Sequence, residues 1–433
     1  MKKILIFSLA YYPHVGGAEV AIKEITDRGA PTDIEFHMLT MRFSQSDARD
    51  ERVGNIQVHR VGCGSSYLAK ILFIPRAAWA ARRLHKVEHF DGAWAMMSYM
   101  TFPLTLLRIC GVSLPYVLTL QEGDPFEHVF GRWYIKLFSP ILRAGFRHAS
   151  VVQTISTFLA EWARQGGYRG EVMVVPNGVD VARFSTAPSA AEQESARKIF
   201  GMLRNTKAGE VWLVTSSRLV HKNAVDDVIR ALGKRCQEPF PNTTDKKVPD
   251  TFFERVHFLV LGSGQDEQML KDLAQRLGVA DRVHFAGYVS HEQMPAFLHA
   301  CDIFIRPSRS EGMGNSFIEA MAAGLPVIAT QEGGLSDFIF DAHTTSSPVD
   351  KSSPASGGNQ QHPPTAWAVD KDSPEQIADA VRDITNPANA AHVQQILATA
   401  KKMVEETYDW DTIAKQMRER VFVVLCPYGR RAD

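Results

Sequence analysis

Short apolar runs alternate with longer helical segments along almost the whole sequence, and this alternation constrains the fold more than any other feature. Runs such as KILIFSLA (3–10), IEFHMLT (34–40) and YVLTL (116–120) are nearly continuous in apolar residues. Strands of this kind are buried on both faces, as they are in parallel sheets that helices cover. The alternation therefore predicts an α/β fold.

The same alternation restarts in the second half of the chain, at VWLVTSSR (211–218) and VHFLVLG (256–262). A length of 433 residues is too great for one core, and a prior of roughly 150 residues per domain gives two or three domains. We predict two successive doubly wound units joined near residues 180–210. Ligands of such sheets bind at the carboxyl ends of the strands, so the strand-to-helix loops are the places to search.

Two segments of the second half lack apolar periodicity. Residues 236–252 and 342–365 are rich in proline, serine, threonine and other polar residues. We predict that both are inserted surface loops without a chemical role.

Composition excludes several classes of protein. The formal net charge is zero, which gives no indication of nucleic-acid binding, and the five cysteines are scattered without a Cys-x-x-Cys pair. That pattern favours reduced thiols over a disulfide framework or a zinc site. No run reaches the 18–20 apolar residues that a membrane-spanning helix needs, so we expect a cytoplasmic protein.

The strongest chemical signal lies in SRSEGMGNSFIEAMAAGLPVIAT (308–330). Glu311 precedes Gly312 and Gly314, which allow the backbone to approach a ligand closely. The amides of 313–316 begin a helix, where an anion binds well. An acid beside an anion site fits a ligand that carries both a phosphate and sugar hydroxyls.

Glu319 in the same segment has two interpretations. Ser316 and Glu319 have the spacing of a capping box, in which the glutamate would only stabilise the start of the helix. Alternatively, Glu319 binds the same ligand as Glu311. The helical repeat of roughly 100° per residue separates the two side chains by about 80°, so Glu311 must lie on the loop and Glu319 on the helix.

A cationic turn follows the strand at 211–218. Arg218 and Lys222 in SSRLVHKN (216–223) flank the carboxyl end of that strand, where two cations can neutralise a diphosphate leaving group in place of a divalent metal. The alternative is a solvated helix start with incidental charge. Basic residues there oppose the helix dipole, which favours the functional interpretation.

These motifs, in this order, resemble those of the retaining glycosyltransferases of family 4. Glu311 and Glu319 match the E-x7-E motif of that family in EGMGNSFIE. The segments GGAE, PNGVDVARF, SRLVHKN, LGSGQ, RVHFAGYVS and YDW also follow in the order of the family. The resemblance covers nearly the whole chain apart from the two predicted insertions.

The resemblance implies the GT-B fold, in which two Rossmann-like domains face each other across a cleft. Residues 1–185 would form the acceptor-side domain and residues 186–407 the donor-binding domain. The C-terminal helix over 408–433 would pack back on the first domain.

The resemblance also implies roles for individual residues. Glu319 would bind the ribose hydroxyls of the donor, and Glu311 would contact the donor sugar at the reacting anomeric centre. Arg218 and Lys222 would hold the diphosphate. Further donor-binding residues would be Gly16, Gly17, Gly262, Gly264, Tyr288, Val289, Gly312, Met313, Gly314, Asn315 and Ser316. No residue is expected to bind a metal.

The chain departs from the family pattern in two places. Arg218 and Lys222 are separated by three residues, often by more in relatives, and the residue after YVLTL differs. Relatives commonly have a histidine after the strand YVLTL, whereas TLQEGDP places Gln121 there. A glutamine can hydrogen-bond a sugar hydroxyl but cannot act as an acid or base. The groups that could instead take the proton lost by the attacking hydroxyl are Glu122, Asp124 and the leaving phosphate.

The predicted function is retaining, metal-independent transfer of a hexose from a UDP-, GDP- or ADP-sugar to a glycan or lipid-linked acceptor. Cell-surface polysaccharide or glycolipid synthesis is the expected setting, with no cofactor beyond the donor and no nucleic-acid partner. A non-catalytic sugar-nucleotide-binding protein and a sugar-nucleotide epimerase remain alternatives. A phosphorylase would need a cofactor lysine and a much longer chain.

Residues 60–147 contain 11 basic and 5 acidic residues. The segments 70–86 and 130–147 mix these charges with large apolar residues at helical spacing. They are either ordinary half-buried helices or a surface for peripheral contact with the inner face of the cytoplasmic membrane.

Overall fold

The computed structural model describes residues 1–28, 34–124, 126–131, 133–192, 194, 196, 209–234, 252–343 and 362–425. Most of the two predicted insertions, 236–252 and 342–365, lies outside the described residues. The chain divides into two compact units, Met1–Gly178 with Tyr408–Asp433 and Val179–Thr407.

The first unit is built on an eight-stranded sheet with the order β3-β4-β2-β1-β5-β6-β7-β8. Its strands are β1 Lys2–Phe7, β2 Ile34–Met41, β3 Asp50–Val53, β4 Ile56–Val61, β5 Gly92–Met96, β6 Tyr116–Leu120, β7 Val151–Thr154 and β8 Val172–Val174. Its helices are α1 Gly17–Asp27, α2 Tyr67–Glu88, α3 Thr101–Ile109, α4 Phe126–Phe130, α5 Trp133–His148 and α6 Thr157–Gln165. Neighbouring strands are parallel except for the pair β3 and β4.

The antiparallel strand β3 differs from the predicted parallel pattern. Its sequence DERV alternates exposed with half-buried side chains, so it lacks the apolar run by which the other strands are recognised. β1 lies between β2 and β5, where the strand order reverses, and this is the usual place for a ligand in such a sheet.

The second unit contains a six-stranded parallel sheet with the order β11-β10-β9-β12-β13-β14. Its strands are β9 Val211–Ser216, β10 Val256–Leu261, β11 Val283–Gly287, β12 Ile303–Arg306, β13 Val327–Ala329 and β14 Trp367–Ala368. Its helices are α7 Val181–Ser185, α8 Val225–Lys234, α9 Glu267–Arg276, α10 Met294–Leu298, α11 Asn315–Ala322, α12 Pro374–Thr385 and α13 Ala390–Thr407. Both units are thus doubly wound α/β structures.

The boundary between the units follows Gly178, whereas the sequence places it after residue 185. Helix α7 belongs to the second unit because its Phe184 is fully buried there. The main-chain oxygen of Phe184 accepts a hydrogen bond from Nε2 of His299 at 2.8 Å, and its ring lies 5.5 Å from that of His291.

The chain returns to the first unit through α14, Trp410–Gln416. Apolar side chains of this return segment join the core formed by β1, β2 and β5. They are Trp410, Ile413, Met417, Val421, Phe422 and Leu425. Gly178 lies against this segment so closely that a Cβ there would come within 2.8 Å of the Trp410 ring.

Within the described part of the chain, no helix is both long enough and apolar enough to cross a membrane.

Candidate active site

A buried arginine connects three elements of the second unit at the carboxyl edge of its sheet. Arg306, the last residue of β12, donates from Nη1 to the main-chain oxygen of Ser216 at 3.1 Å and to Oγ of Ser316 at 2.9 Å. Its Nη2 donates to Oε2 of Glu311 at 2.7 Å. The guanidinium lies 4.3 Å from the centre of the Phe317 ring. Arg306 therefore joins the end of β9, the loop that carries Glu311 and the first turn of α11.

These contacts fix the Glu311 carboxylate. Its second oxygen, Oε1, accepts from the amide of Gly312 at 3.0 Å, and its side chain is only 16% exposed. The Glu311 main-chain oxygen accepts from the amide of Gly334 at 2.9 Å. A Cβ on Gly333 would lie 2.2 Å from that oxygen, so only glycine permits this approach.

The capping-box prediction for Ser316 and Glu319 is wrong. Helix α11 begins at Asn315 and its N-cap is Gly314, which has φ 81° and no side chain to cap the helix. Ser316 instead receives the hydrogen bond from Arg306. Glu319 lies beyond the first turn, and its Oε1 is 3.2 Å from Nε2 of His291.

Neighbouring side chains, as well as the positive φ, require a glycine at position 314. A Cβ at this position would lie 2.6 Å from the Phe317 ring and 2.7 Å from Nη2 of Arg306. Burial lowers the pKa of the Arg306 guanidinium, and the charges of Glu311 and Glu319 oppose that change. Both predicted glutamates thus act electrostatically on one buried cation.

His291 and Arg306 were not identified from the sequence. His291 follows β11 in YVSHEQ, where a histidine beside other polar residues gives no signal by itself. Arg306 could have been found from the sequence, because it is a charged residue at the end of the apolar run DIFIRP (302–307). A charge buried at the end of a strand needs partners.

The pH dependence of stability should report the His291–Glu319 pair. Burial lowers the pKa of His291, but the hydrogen bond and the charge of Glu319 raise it by more than burial lowers it. The pKa of His291 therefore lies above its ordinary value of 6.5. A histidine of raised pKa stabilises the fold below its unfolded pKa, and this contribution disappears as the pH rises through the folded pKa.

The variant His291→Gln should therefore be less stable than wild type at about pH 6 and should approach wild type by about pH 8.5. Urea unfolding at a series of pH values measures the difference. A difference that is constant over the whole series would contradict the pairing.

The loops after β9 and β10 meet through main-chain groups. The amide of Leu219 donates to the oxygen of Ser263 at 3.0 Å. A Cβ on Gly262, whose φ is 137°, would lie 1.9 Å from the oxygen of Ser217, and a Cβ on Gly264 would lie 2.2 Å from that of Leu219. The two glycines therefore allow this close contact between backbones, which positions the loop carrying Arg218.

Arg218 is exposed, and Lys222 lies in a 3-10 turn, His221–Asn223, before helix α8. The helix begins at Val225, directly after Ala224, which has a left-handed conformation with φ 53°. The main-chain oxygen of Lys222 accepts from the amide of Arg309 at 2.7 Å. This contact ties the cationic turn to the loop that carries Glu311.

Two predicted donor-binding side chains lie inside the protein. Val289 and Met313 are buried, so a ligand would meet only their main chain, whereas Tyr288 is 77% exposed. Residues Gly314 to Ser316 are half-buried at the start of α11.

The remaining predicted residues belong to the first unit. Gly16 is the N-cap of α1, and its amide donates to Oε2 of Glu19 at 2.7 Å. Gly17 is the first residue of that helix. Glu19 therefore occupies the amide of Gly16, a residue that the family resemblance assigns to donor binding.

Gln121 forms a reciprocal amide pair with Asn177. Its Nε2 donates to Oδ1 of Asn177 at 3.1 Å, and Nδ2 of Asn177 donates back to its Oε1 at 3.2 Å. Asn177 lies in PNGVD, which the sequence indicated only as a turn. Glu122 is buried and accepts from the main-chain amides of Ser98 and Gln121, so the alternative that Glu122 takes the acceptor's proton is not supported.

Glu35, His37 and Glu88 form the one group of potential metal ligands found among the described residues, with ligand atoms within 4.8 Å of one another. The ammonium group of Lys3 pairs with both carboxylates and already supplies the positive charge that they need. The group lies at the amino ends of β1 and β2, away from Gln121.

The sequence matches two protein families along most of its length. Residues 15–183 match Glycosyltransferase Family 4, and residues 204–410 match Glycosyl transferases group 1. A GDP-mannose-dependent monoacylated alpha-(1-6)-phosphatidylinositol monomannoside mannosyltransferase of Corynebacterium glutamicum is 34% identical over 354 residues, covering 79% of this chain and 83% of the relative. The chain belongs to glycosyltransferase family 4.

A second relative matches at greater length. The GDP-mannose-dependent alpha-(1-6)-phosphatidylinositol monomannoside mannosyltransferase of Mycobacterium tuberculosis is 27% identical over 434 residues, covering 97% of this chain and 98% of the relative.

Solved structures agree with the fold. Sucrose-phosphate synthase from Thermosynechococcus elongatus superposes with a TM-score of 0.75 at 17% identity, covering 97% of this chain and 98% of that one. Anabaena HepE, solved in complex with UDP-glucose, gives 0.69 at 19% identity, covering 97% and 99%. The predictions of family 4 membership, the GT-B fold and glycosyltransferase activity with a nucleotide-sugar donor are confirmed.

Proposed function

We propose that this family 4 enzyme transfers a hexose with retention of anomeric configuration and without a metal. The acceptor would be a glycan or a lipid-linked sugar used in cell-surface polysaccharide or glycolipid synthesis. The observation that carries the proposal is the pair Glu311 and Glu319, which flanks the start of α11 and shares the buried cation Arg306.

Each proposed role follows from the local chemistry. Glu311, held by Arg306 and the Gly312 amide, would contact the donor sugar at its anomeric centre. Glu319 would bind the ribose, since carboxylates accept hydrogen bonds from hydroxyls. Arg218 and Lys222 would neutralise the departing diphosphate and replace a metal in that role.

The backbone at the start of α11 supports the diphosphate site. The amides of Met313, Gly314, Asn315 and Ser316 lie at or before the N-terminus of an eight-residue helix, where an anion is favoured. The Gly312 amide instead donates to Glu311, so Gly312 would contribute to donor binding through its close backbone approach. The pocket for the nucleotide base would be lined by Gly262, Gly264, Tyr288 and Val289.

Gln121 in the first unit would bind a sugar hydroxyl. Because its amide cannot accept a proton, the leaving phosphate would take the proton of the attacking hydroxyl. Attack on the same face as the leaving group would then retain the configuration.

The test is transfer from a panel of UDP-, GDP- and ADP-sugars in excess chelator, followed by NMR assignment of the new linkage. The names of the two mannosyltransferase relatives make GDP-mannose the first donor to test and a phosphatidylinositol mannoside the first acceptor. An inverted product, or transfer that stops with chelator and returns with a divalent metal, would overturn the proposal. Stoichiometric binding without transfer or hydrolysis would favour the non-catalytic alternative.

Glu319→Gln is expected to weaken binding of the nucleotide sugar by about tenfold or more, the effect of losing a charged hydrogen-bond acceptor. Isothermal titration calorimetry measures this affinity. The control is Glu267→Gln, a partly exposed glutamate on α9 that is paired with Lys271. Unchanged affinity in a folded Glu319→Gln protein would remove Glu319 from the donor site.

Peripheral membrane contact is also part of the proposal, and helix α2 supports it. One face exposes Tyr67, Leu68, Ile71, Leu72 and Trp79. The same helix exposes Arg76, Arg82, Arg83 and Lys86, and its sequence has no acidic residue before Glu88. An apolar face bordered by basic side chains fits a surface of anionic lipid.

The double variant Leu68→Ser, Trp79→Ser should reduce the partition coefficient onto phosphatidylglycerol vesicles, measured by sedimentation, by about 100-fold or more. Each large side chain contributes roughly 1.5–3 kcal/mol when buried, and about 1.4 kcal/mol is a factor of ten. Met269→Ser, which removes an exposed apolar side chain from the second unit, is the matched control. Equal sedimentation of both variants would show that α2 does not contact the membrane.

A further inference from the structure

The loop after β5 has a backbone conformation that residues with a side chain rarely adopt. Met97 has φ 72° and ψ 156°, a region used almost only by glycine. Such a conformation persists only where the surrounding structure determines it, and it is concentrated at functional sites. Met97 lies at the carboxyl edge of the sheet, next to the point where the strand order reverses.

Hydrogen bonds hold the main chain on both sides of this strained peptide. The Met97 amide donates to the oxygen of Thr119 at 2.8 Å. The next amide, that of Ser98, donates to Oε1 of Glu122 at 2.7 Å. The second oxygen of Glu122 accepts from the amide of Gln121 at 3.0 Å. One carboxylate therefore connects the loop after β5 with the loop after β6.

Glu122 occupies an unusual environment for a carboxylate. It is 7% exposed, and burial raises its pKa, whereas the Ser98 hydroxyl and the amides of Ser98, Glu122 and Gln121 oppose that rise. Both carboxylate oxygens accept hydrogen bonds from main-chain amides of the two loops. A buried carboxyl group whose oxygens both contact main-chain amides fixes the positions of those two loops relative to each other.

This arrangement fixes the position of Gln121. Its pairing with Asn177 uses one of its two N–H groups and one lone pair of its oxygen, which leaves one donor and one acceptor for a ligand. A sugar hydroxyl donates and accepts at once, so it matches this remaining pair.

We propose that Glu122 is a positioning residue that holds the backbone of Ser98 and Gln121, so that the Gln121 amide binds a hydroxyl of the acceptor sugar. This inference rests on the role proposed above for Gln121, the binding of a sugar hydroxyl, and assigns that hydroxyl to the acceptor. It explains why the Glu122 carboxylate is buried between the two loops and why Met97 has a strained backbone.

The first test is Glu122→Gln, which keeps the shape but places an amide NH2 group against main-chain N–H donors. With GDP-mannose and a phosphatidylinositol mannoside, kcat should fall by about tenfold or more, because a hydrogen bond to a charged group is lost. Calorimetric affinity for GDP should stay within about twofold, since the proposed donor-binding loops of the second unit are untouched.

A double-variant cycle separates positioning from general destabilisation. If Glu122 acts through Gln121, then Glu122→Gln added to Gln121→Ala should lower kcat little further. If the two losses multiply, as they do for independent sites, the positioning role is overturned.

Hydrogen exchange tests the structural part independently of turnover. The Ser98 amide should exchange about 100-fold faster in Glu122→Gln than in wild type, since its acceptor is lost. Unchanged protection would overturn the inference. Adding Met97→Gly, which relieves the backbone strain, should restore the melting temperature of the Glu122→Gln protein without restoring its kcat. This result would show that the loss of kcat does not arise from misfolding. If the wild type transfers no sugar, the exchange result still decides whether Glu122 holds the loop, and only the proposed function fails.

Discussion

Arg306→Met is expected to lower kcat/KM by about 1,000-fold or more and to destabilise the second unit by roughly 3–5 kcal/mol. The instability arises because Glu311 would remain as a buried charge without its partner. The loss of activity has a separate cause, since a reacting group displaced by about 1 Å can lose about 100-fold in rate, and Ser316 also loses its contact with Arg306.

Urea unfolding and steady-state kinetics with the same protein samples measure the two effects. Arg276→Met, at the exposed end of α9, is the matched control and should change neither. Arg306→Lys should lose part of the activity, because one ammonium cannot reproduce the several directed N–H groups of a guanidinium.

The variant Arg306→Met with Glu311→Gln separates stability from catalysis. Removing both charges should recover part of the lost stability, as replacement of a buried ion pair often does, while activity stays low. Wild-type kcat/KM in Arg306→Met would show that Arg306 has no role in holding Glu311.

Gly262→Ala is expected to have the second largest effect, about 3 kcal/mol of destabilisation with about 100-fold weaker donor binding. The added Cβ would lie 1.9 Å from the main-chain oxygen of Ser217, and a backbone oxygen cannot rotate away. The loop that carries Arg218 must therefore move, and the proposed diphosphate site moves with it.

Gly278→Ala is the matched control for this substitution. Gly278 also has a positive φ, 68°, but a Cβ there would have no neighbour within 4 Å. It should cost only about 1–2 kcal/mol, from the left-handed conformation itself, and leave donor affinity unchanged. Chemical unfolding and calorimetry compare the two variants, and equal effects on affinity would refute the role of the close backbone contact.

The elements predicted well from the sequence are those that depend on local pattern. The apolar run at 256–262 becomes β10, Val256–Leu261, and the run at 211–218 becomes β9, Val211–Ser216. Glu311 lies on the loop and Glu319 on the helix, as the angular separation of a helical repeat requires.

The features missed depend on contacts between distant residues. His291 and Glu319 are 28 positions apart, and Gln121 and Asn177 are 56 apart, so no spacing rule connects them. The capping box failed for a different reason. Ser-x-x-Glu fits a helix start with Ser316 as N-cap by local spacing, but Gly314, which lies close against Phe317 and Arg306, is the N-cap two residues earlier.

The first unit is made from two separate stretches of chain, and this has a consequence for folding during synthesis. Six apolar side chains of its core come from Trp410 to Leu425, so residues 1–178 emerge from the ribosome long before their core can close. At about 5–20 residues per second the wait lasts roughly 10–50 s, during which the continuous second unit can fold first. Expression of residues 1–178 alone should give an aggregating product, and supplying 408–425 as a linked segment should rescue it.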